Sequence, residues 1–390
     1  MGKLMISRTL TGELAQLLRE YPVITLVGPR QAGKTTLAKT VEGYDYCNLE
    51  LPENRELALS DPKTFLSRFP GKVILDEIQR VPELLSYIQV MVDEDKRLGR
   101  FILTGSNQLA LKQSITQSLA GRTAILNLLP FSIAELSSAD LTFERFEDYA
   151  FHGFLPTVYD LEQRPRQAYS NYYQTYVERD VKLLVNLKDA SLFEKFMKLL
   201  AGRVGQLMDY TSLANDVGVD AKTIRHWLSI LESSFIVYRL PPYFENFGKR
   251  VIKSPKYYFL ETGLLVYLLD INHADQISRD PLLGAIFENL VVVEFLKARY
   301  HKGEAANLYF YRDSNNNEVD LLASDGAGLI AVEIKSGSTY RESLLGNIKK
   351  LEKLTTRIKA SYLVYTGATL PISDGKKALR FDQIDSIFNS

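Results

Sequence analysis

Gly28-Pro29-Arg30-Gln31-Ala32-Gly33-Lys34-Thr35-Thr36 closes the apolar run PVITLVG (22–28) and opens a helical stretch over 33–42. Gly28, Gly33, Lys34 and Thr35 meet the spacing GxxxxGK[ST]. A strand before it and a helix after it are the context in which that spacing means a phosphate-cradling loop. Glycines permit a backbone whose N–H groups turn inward on phosphates. The helix N-terminus adds partial positive charge. Lys34 is expected to reach the β and γ oxygens, and the Thr35 hydroxyl to hold Mg²⁺. Pro29, Arg30, Gln31, Ala32 and Thr36 complete the predicted nucleotide contact. A glycine turn ahead of an ordinary helix is the competing interpretation.

Two more runs, KVILDEI (72–78) and RFILTGS (100–106), are short, rich in branched residues and end at polar turns. Strands buried on both faces of a parallel sheet have this character. Helical stretches at 82–92 and 108–120 alternate with them, and TAILNLL (123–129) is a fourth strand. An amphipathic helix over 9–19, opened by Thr9 or Thr11, precedes the first strand. The alternation predicts an α/β domain with a P-loop parallel sheet. Asp76, ending the second run, is placed to hold the metal shell, and Glu77 to orient and polarise an attacking water. The third run ends in Thr104-Gly105-Ser106-Asn107, of which Ser106 is favoured for contact with the γ-phosphate or the water.

Composition narrows the remaining possibilities. The 390 residues carry 47 basic and 47 acidic side chains, so net charge attracts neither nucleic acid nor membrane in bulk. With Cys47 as the single cysteine, one chain builds no disulfide framework or thiolate cluster. MGKLMISRTLTGELAQLL has no signal-peptide core, and Ile6 breaks the myristoylation pattern. The longest apolar stretch, LLGAIFENLVVVEFL, holds Glu288 and Glu294 and is too short to span a bilayer. A cytoplasmic protein without membrane association is expected.

Beyond 131 the pattern turns helical. The expected organisation is an ATPase-type core over 1–135, a helical lid over 136–190, a winged helix-turn-helix over 191–254 and a C-terminal α/β domain over 255–390. TSLANDVG (211–218), with a hydroxyl cap and a terminal Gly218, leads to Asp220 and the helix AKTIRHWLSILES. FIVYRLPPY is a candidate wing. Ile224, Leu228 and Leu231 should face the core, with Trp227 more often packing than base-stacking. Lys222 and Arg225 should face outward as candidate DNA contacts, and Lys249, Arg250, Lys253 and Lys256 form a candidate phosphate-contacting strip. A protein-contact module or a packing lid is the alternative.

The C-terminal half brings a second constellation. Glu288 lies on an apolar helix, Asp320 in the strand EVDLLAS, and Glu333 with Lys335 on one face of the strand LIAVEIK. Buried charge in apolar strands needs a reason. Carboxylates holding Mg²⁺ or Mn²⁺ supply one: Asp320 and Glu333 as ligands, Glu288 assisting, and Lys335 positioning or activating a water that attacks a phosphodiester. The helix-strand-strand-helix-strand arrangement resembles the PD-(D/E)XK nuclease superfamily, though Asp320 follows Val319 rather than a proline. A nuclease fold that only binds DNA or a partner is the alternative.

GPRQAGKTT, LDEIQR, LTGSNQ, SLAGR, YVERDV, KSPKYYFLETGLL, EVDLL and VEIKS together resemble the bacterial and archaeal AAA-type ATPases with a C-terminal domain of uncharacterised function. The resemblance covers almost the whole chain and implies ATP rather than GTP. It implies that Arg122, just before TAILNLL, is an arginine finger completing a neighbour's site; a surface ion pair is the alternative. A homo-oligomer follows, a ring such as a hexamer or an arc. The expected function is a Mg²⁺-dependent ATPase that engages DNA, branched or damaged structures included. A regulatory ATPase switch with a non-catalytic C-terminal half is the second expectation.

Overall fold

The computed structural model describes residues 6–106, 118–181, 190–244, 253–326, 328–372 and 375–388. The chain divides into two compact units. The first is Met1–Phe131 with Ser233–Phe235 and Arg299–Glu304, and the second takes the rest. The segment 136–190 therefore belongs to the same unit as the C-terminal half.

The first unit is built on five parallel strands: β1 (Val23–Val27), β2 (Tyr44–Asn48), β3 (Lys72–Asp76), β4 (Phe101–Gly105) and β5 (Thr123–Asn127). Their order is β2-β3-β4-β1-β5. β1 and β4 are buried throughout, as runs of branched apolar residues in the middle of a covered parallel sheet must be. Ile24, Leu26, Ile74, Ile102 and Leu126 share one core cluster with Leu14 of the helix Thr11–Leu17 and with Leu10, which precedes it. The N-cap position of that helix is Leu10, which has no polar side chain to cap it. The Thr11 hydroxyl instead donates back to the Arg8 carbonyl at 2.7 Å. The order puts β4 between the loop-bearing β1 and the acid-bearing β3. All three carboxyl ends meet where the strand order reverses, the place at which open α/β sheets bind ligands.

The second unit starts at Ser132, whose hydroxyl and Glu135 form a reciprocal capping box on the helix Ile133–Ser137. Within the helical lid expected over 136–190 lie the helices Phe146–His152 and Pro156–Asp160. Gly153 caps the end of the first, and a side chain does not fit there: a Cβ would lie 1.8 Å from the Tyr169 hydroxyl and 2.4 Å from Glu261 Oε1. Glu261 Oε1 accepts from Phe154 N (2.9 Å), Tyr169 OH (2.8 Å) and Gly263 N (3.2 Å). Burial raises its pKa above the ordinary value, against Lys297 and these donors. An acid with a raised folded pKa favours the fold most fully below its ordinary pKa and loses that contribution as pH rises through the folded one. Glu261→Gln keeps the accepting oxygen and cannot ionise. Its denaturant midpoint is expected to fall less steeply than wild type as pH rises from 4.5.

Further along come helices Ala190–Ala201, Tyr210–Val217 and Ala221–Ser233, then the antiparallel strands β6 (Val237–Leu240) and β7 (Lys256–Phe259). Leu207 bridges to Lys256 as a third, one-residue strand. The Tyr210–Val217 helix is capped by Asp209, which accepts from Thr211 N and Ser212 N, and not by a hydroxyl. Gly218 ends it in the left-handed region at φ 96°. Asp220 accepts from Thr223 N at 2.7 Å. Ile224, Trp227, Leu228 and Leu231 are buried. The β6–β7 pairing joins Leu240 to Lys256 across the division expected at 254/255.

The chain then runs through the helix Leu283–His301, β8 (Leu308–Arg312), β9 (Glu318–Ser324), β10 (Leu329–Lys335), the helix Gly346–Glu352 and β11 (Ile358–Tyr365). β12 (Leu370–Pro371) and β13 (Lys377–Arg380) complete a six-stranded mixed sheet of order β12-β13-β11-β10-β9-β8. β9 is antiparallel to β8 and β10, while β11 is parallel to β10. Among the described residues no helix is long and apolar enough to cross a membrane.

Candidate active site

The loop leaving β1 makes a close approach that only glycine allows at its first residue. A Cβ on Gly28 would lie 2.0 Å from the Leu128 carbonyl oxygen. Gln31 (φ 62°) and Gly33 (φ 91°) are both left-handed, which curls the backbone into a concave nest suited to an anion. Lys34 is buried and donates to Gly28 O at 2.9 Å and Pro29 O at 2.7 Å. Burial pushes it down to about 8, against the charges of Glu77 and Asp76. Phosphate oxygens placed in the nest would raise it again.

Asp76 ends β3 at the centre of a hydroxyl cluster. Thr35 Oγ1 donates to both its oxygens (2.9 and 3.1 Å), Tyr46 OH donates at 2.8 Å, and Thr104 Oγ1 donates as well. Thr104 Oγ1 also accepts the Glu77 N–H at 3.2 Å. Hydroxyl and carboxylate brought together at the foot of a phosphate nest form an oxygen donor set that fits Mg²⁺. Glu77 has left-handed backbone angles (φ 59°, ψ 46°), which cost a non-glycine residue roughly 1–2 kcal/mol. Its carboxylate accepts from Gln79 Nε2 and from Ser106 Oγ (3.2 Å). Ser106 touches Glu77, and Thr104 touches Asp76. Asn107 lies outside the described residues.

Arg122 is not brought to the chain's own loop. The Val23 N–H donates to its carbonyl at 3.3 Å, beside the start of β1. The loop is the length of that strand away, roughly 16 Å. Its guanidinium pairs with Asp93 through two bonds of 2.6 and 2.9 Å.

In the second unit, Asp320 and Glu333 stand beside each other on β9 and β10, one position past the Leu321–Val332 pair. Lys335 Nζ bridges them at 2.8 and 2.9 Å, and the Ile334 N–H donates to Asp320 Oδ2 at 2.8 Å. Burial and the neighbouring Asp320 charge push Glu333 up to about 9. Burial opposes ionisation of Asp320, but Lys335 and Lys256 override it and hold its carboxyl below the usual range. Burial also opposes the charge on Lys335, yet its two acids keep it above the ordinary lysine range. An ammonium so held positions or stabilises charge rather than taking a proton.

Glu288 does not join Asp320 and Glu333 as a third carboxylate of one cage. It accepts from Lys256 Nζ (3.0 Å) and Tyr258 OH (2.5 Å), and Lys256 also pairs with Glu318 at 2.7 Å. Buried carboxylates need compensating charge, and two lysines supply it here. Among the described residues no three His, Cys, Asp or Glu side chains form a group able to hold a metal ion. Lys256 is 3% exposed and so leaves the expected phosphate strip, while Lys253 is exposed. Lys249 and Arg250 lie outside the described residues. Lys222 and Arg225 are exposed as expected, Arg225 lying 4.5 Å from the Tyr210 ring centroid. Tyr311 is buried, Tyr309 packs on the sheet's core, and Arg312 pairs with Glu318 at 2.8 Å.

A parallel sheet with a phosphate nest after β1, an acidic pair after β3 and a polar strand end between them defines a P-loop nucleoside-triphosphate site. The AAA domain family matches residues 20–137, and two domains of unknown function, DUF8612 and DUF4143, match 143–275 and 283–384. An uncharacterized protein of Mycobacterium tuberculosis is 32% identical over 384 residues, covering 97% of this chain and 84% of that one. Uncharacterized proteins of Haemophilus influenzae (23% over 372 residues; 86% and 88% covered) and Methanocaldococcus jannaschii (24% over 406; 90% and 81%) are also similar. A Walker-type ATPase of Pyrococcus abyssi is 14% identical, with 68% of this chain and 96% of that one covered and a TM-score of 0.42. The chain belongs to the AAA-type P-loop ATPase family.

Four functional contacts escaped sequence reading. Tyr46 and Gln79 touch the acidic pair, Lys256 pairs with Glu288, and Tyr258 donates a hydrogen bond to it. Position after the acidic pair was the one available signal, for Gln79.

Proposed function

We propose that this ATPase engages DNA, and that its C-terminal unit carries a metal-dependent nuclease-like site. At the nucleotide site, Lys34 and the loop N–H groups would bind the phosphates, and Thr35 and Asp76 would hold Mg²⁺. Bound there, the ion would neutralise charge developing on the phosphoryl oxygens. Glu77 would align the attacking water, with Ser106 and Gln79 fixing its carboxylate. Arg122, freed from Asp93, would serve a neighbouring copy's site, which makes a homo-oligomer the working form.

One observation carries the DNA reading. Asp320, Glu333 and Lys335 converge on adjacent strands, on a helix-strand-strand-strand-helix-strand scaffold. Among the described residues the buried Glu333 Oε1 has no hydrogen-bond partner, an oxygen that a cation would meet once it displaced the proton. Asp320 and Glu333 would hold Mg²⁺ or Mn²⁺, and Lys335 would face the phosphodiester. Three helices followed by the β6–β7 hairpin, in winged-helix order, support DNA contact through Lys222 and Arg225. The lysine-neutralised acids favour a second reading, a regulatory ATPase whose C-terminal unit binds without cutting.

The test is cleavage of linear, single-stranded and four-way-junction DNA with Mg²⁺ or Mn²⁺. Wild type is expected to cut, Glu333→Ala to lose cleavage, and Lys34→Ala to retain the C-terminal site. A wild type that leaves every substrate intact but binds DNA favours the second reading. ATP turnover indifferent to DNA, with no binding, ends both DNA-linked versions.

A further inference from the structure

Arg8 precedes the first helix and is 8% exposed. Its guanidinium is shared between two carbonyls. Nη1 donates to Ala32 O at 2.7 Å, and Nη2 to Leu129 O at 2.6 Å. Its central carbon lies 4.9 Å from the Phe131 ring centroid. Ala32 sits inside the phosphate loop, between the left-handed Gln31 and Gly33. Leu129 and Phe131 belong to the segment by which the chain leaves β5. Leu128, in the same segment, donates its N–H to Val27 O at 2.8 Å, and its carbonyl is what a Cβ on Gly28 would strike. The loop is therefore bracketed against one short segment, by backbone contact at Gly28 and by Arg8 at Ala32.

The Ala32 bond has a directional consequence. A trans peptide is planar, with its C=O and N–H pointing opposite ways. Turning the Ala32 carbonyl onto Arg8 turns the Gly33 N–H away from it, on the far side of the same plane. We propose that Arg8 is a positioning residue for the nucleotide: it fixes the Ala32–Gly33 peptide so that the Gly33 N–H faces the phosphates. The inference rests on the loop being the nucleotide site. Arginine suits the task because its rigid fork reaches two carbonyls at once, which one lysine ammonium matches poorly.

The test compares wild type, Arg8→Lys, Arg8→Met and Phe131→Leu by ATP affinity, steady-state kinetics and thermal midpoint. Loss of a charge-assisted bond that orients the loop should weaken ATP binding in Arg8→Met by roughly 10- to 100-fold. KM should rise more than kcat falls, since the phosphates are held in ground and transition states alike. Arg8→Lys should recover part of the affinity. Phe131→Leu keeps both hydrogen bonds, and should lower the midpoint while binding ATP as wild type does. If Arg8→Met is as destabilised as Phe131→Leu and still binds ATP like wild type, Arg8 only holds the exit segment and the inference is overturned. Should Arg8→Met not fold, a folded Arg8→Lys with wild-type affinity overturns it equally. A wild type that binds no ATP removes the nucleotide reading, and this inference with it.

Discussion

Glu77→Gln is expected to slow ATP turnover by roughly 10²–10³-fold while leaving ATP affinity and the thermal midpoint near wild type. The reason is local. Asp76, Thr35, Tyr46 and Thr104 form a hydroxyl-carboxylate cluster that does not include the Glu77 side chain. The Glu77 carboxylate points into a separate contact with Gln79 and Ser106. An amide at this position keeps an oxygen for both donors, so the backbone at φ 59° has no new reason to relax. What it loses is negative charge against the attacking water. Steady-state phosphate release and equilibrium ATP binding, measured on one preparation, separate the two effects. A Gln variant that turns over ATP like wild type removes Glu77 from the chemistry. A variant that no longer binds ATP means that Glu77 shapes the site instead.

The parallel sheet is legible because β1, β3 and β4 are buried almost throughout, and burial on both faces writes itself as an unbroken apolar run. β2 is not legible. YDYCN lies at the sheet edge, with only Cys47 buried, and alternates polar and aromatic residues with no hydrophobic period. Tyr46 was lost with it, because its contact with Asp76 exists only once β2 lies beside β3. Gln79 was missed for another reason. A three-residue turn after a left-handed Glu77 folds it back on its near neighbour, and neither helical nor strand periodicity encodes that reversal.

The C-terminal site divides along the same line. Asp320, Glu333 and Lys335 meet because alternation along adjacent strands is a local rule. Glu288 comes from a helix, and its partners Lys256 and Tyr258 come from β7. Sequence alone places Lys253 and Lys256 together in an exposed phosphate-contacting strip. Burial of Lys256 follows from the charges it meets, Glu288 and Glu318, which is a tertiary fact. The Leu240–Lys256 strand pair ties β7 to β6, while the Lys256 side chain ties it to Glu288 and Glu318.

Gly28→Ala is expected to remove ATP binding more completely than any single loss of a polar contact in the loop. A Cβ there would stand 2.0 Å from a backbone oxygen, that of Leu128, and 3.0 Å from its carbonyl carbon. A flexible side chain could swing aside, but this oxygen belongs to the strand-exit segment held by the Val27–Leu128 bond and by Arg8 on Leu129. Relief requires the loop to lift by about 1 Å, and a misplacement of that size costs on the order of 100-fold where groups must meet a bound substrate. Lys34 would move with the loop, because it is anchored to Gly28 O and Pro29 O. Both affinity and kcat should fall, in contrast to Glu77→Gln, where only turnover does. Overpacking should also lower stability by roughly 1–3 kcal/mol. Nucleotide titration of the folded variant checks this, with the thermal midpoint as control. A Gly28→Ala variant that still binds ATP tightly would mean that Leu128 can retreat, and that the bracket around the phosphate nest is soft.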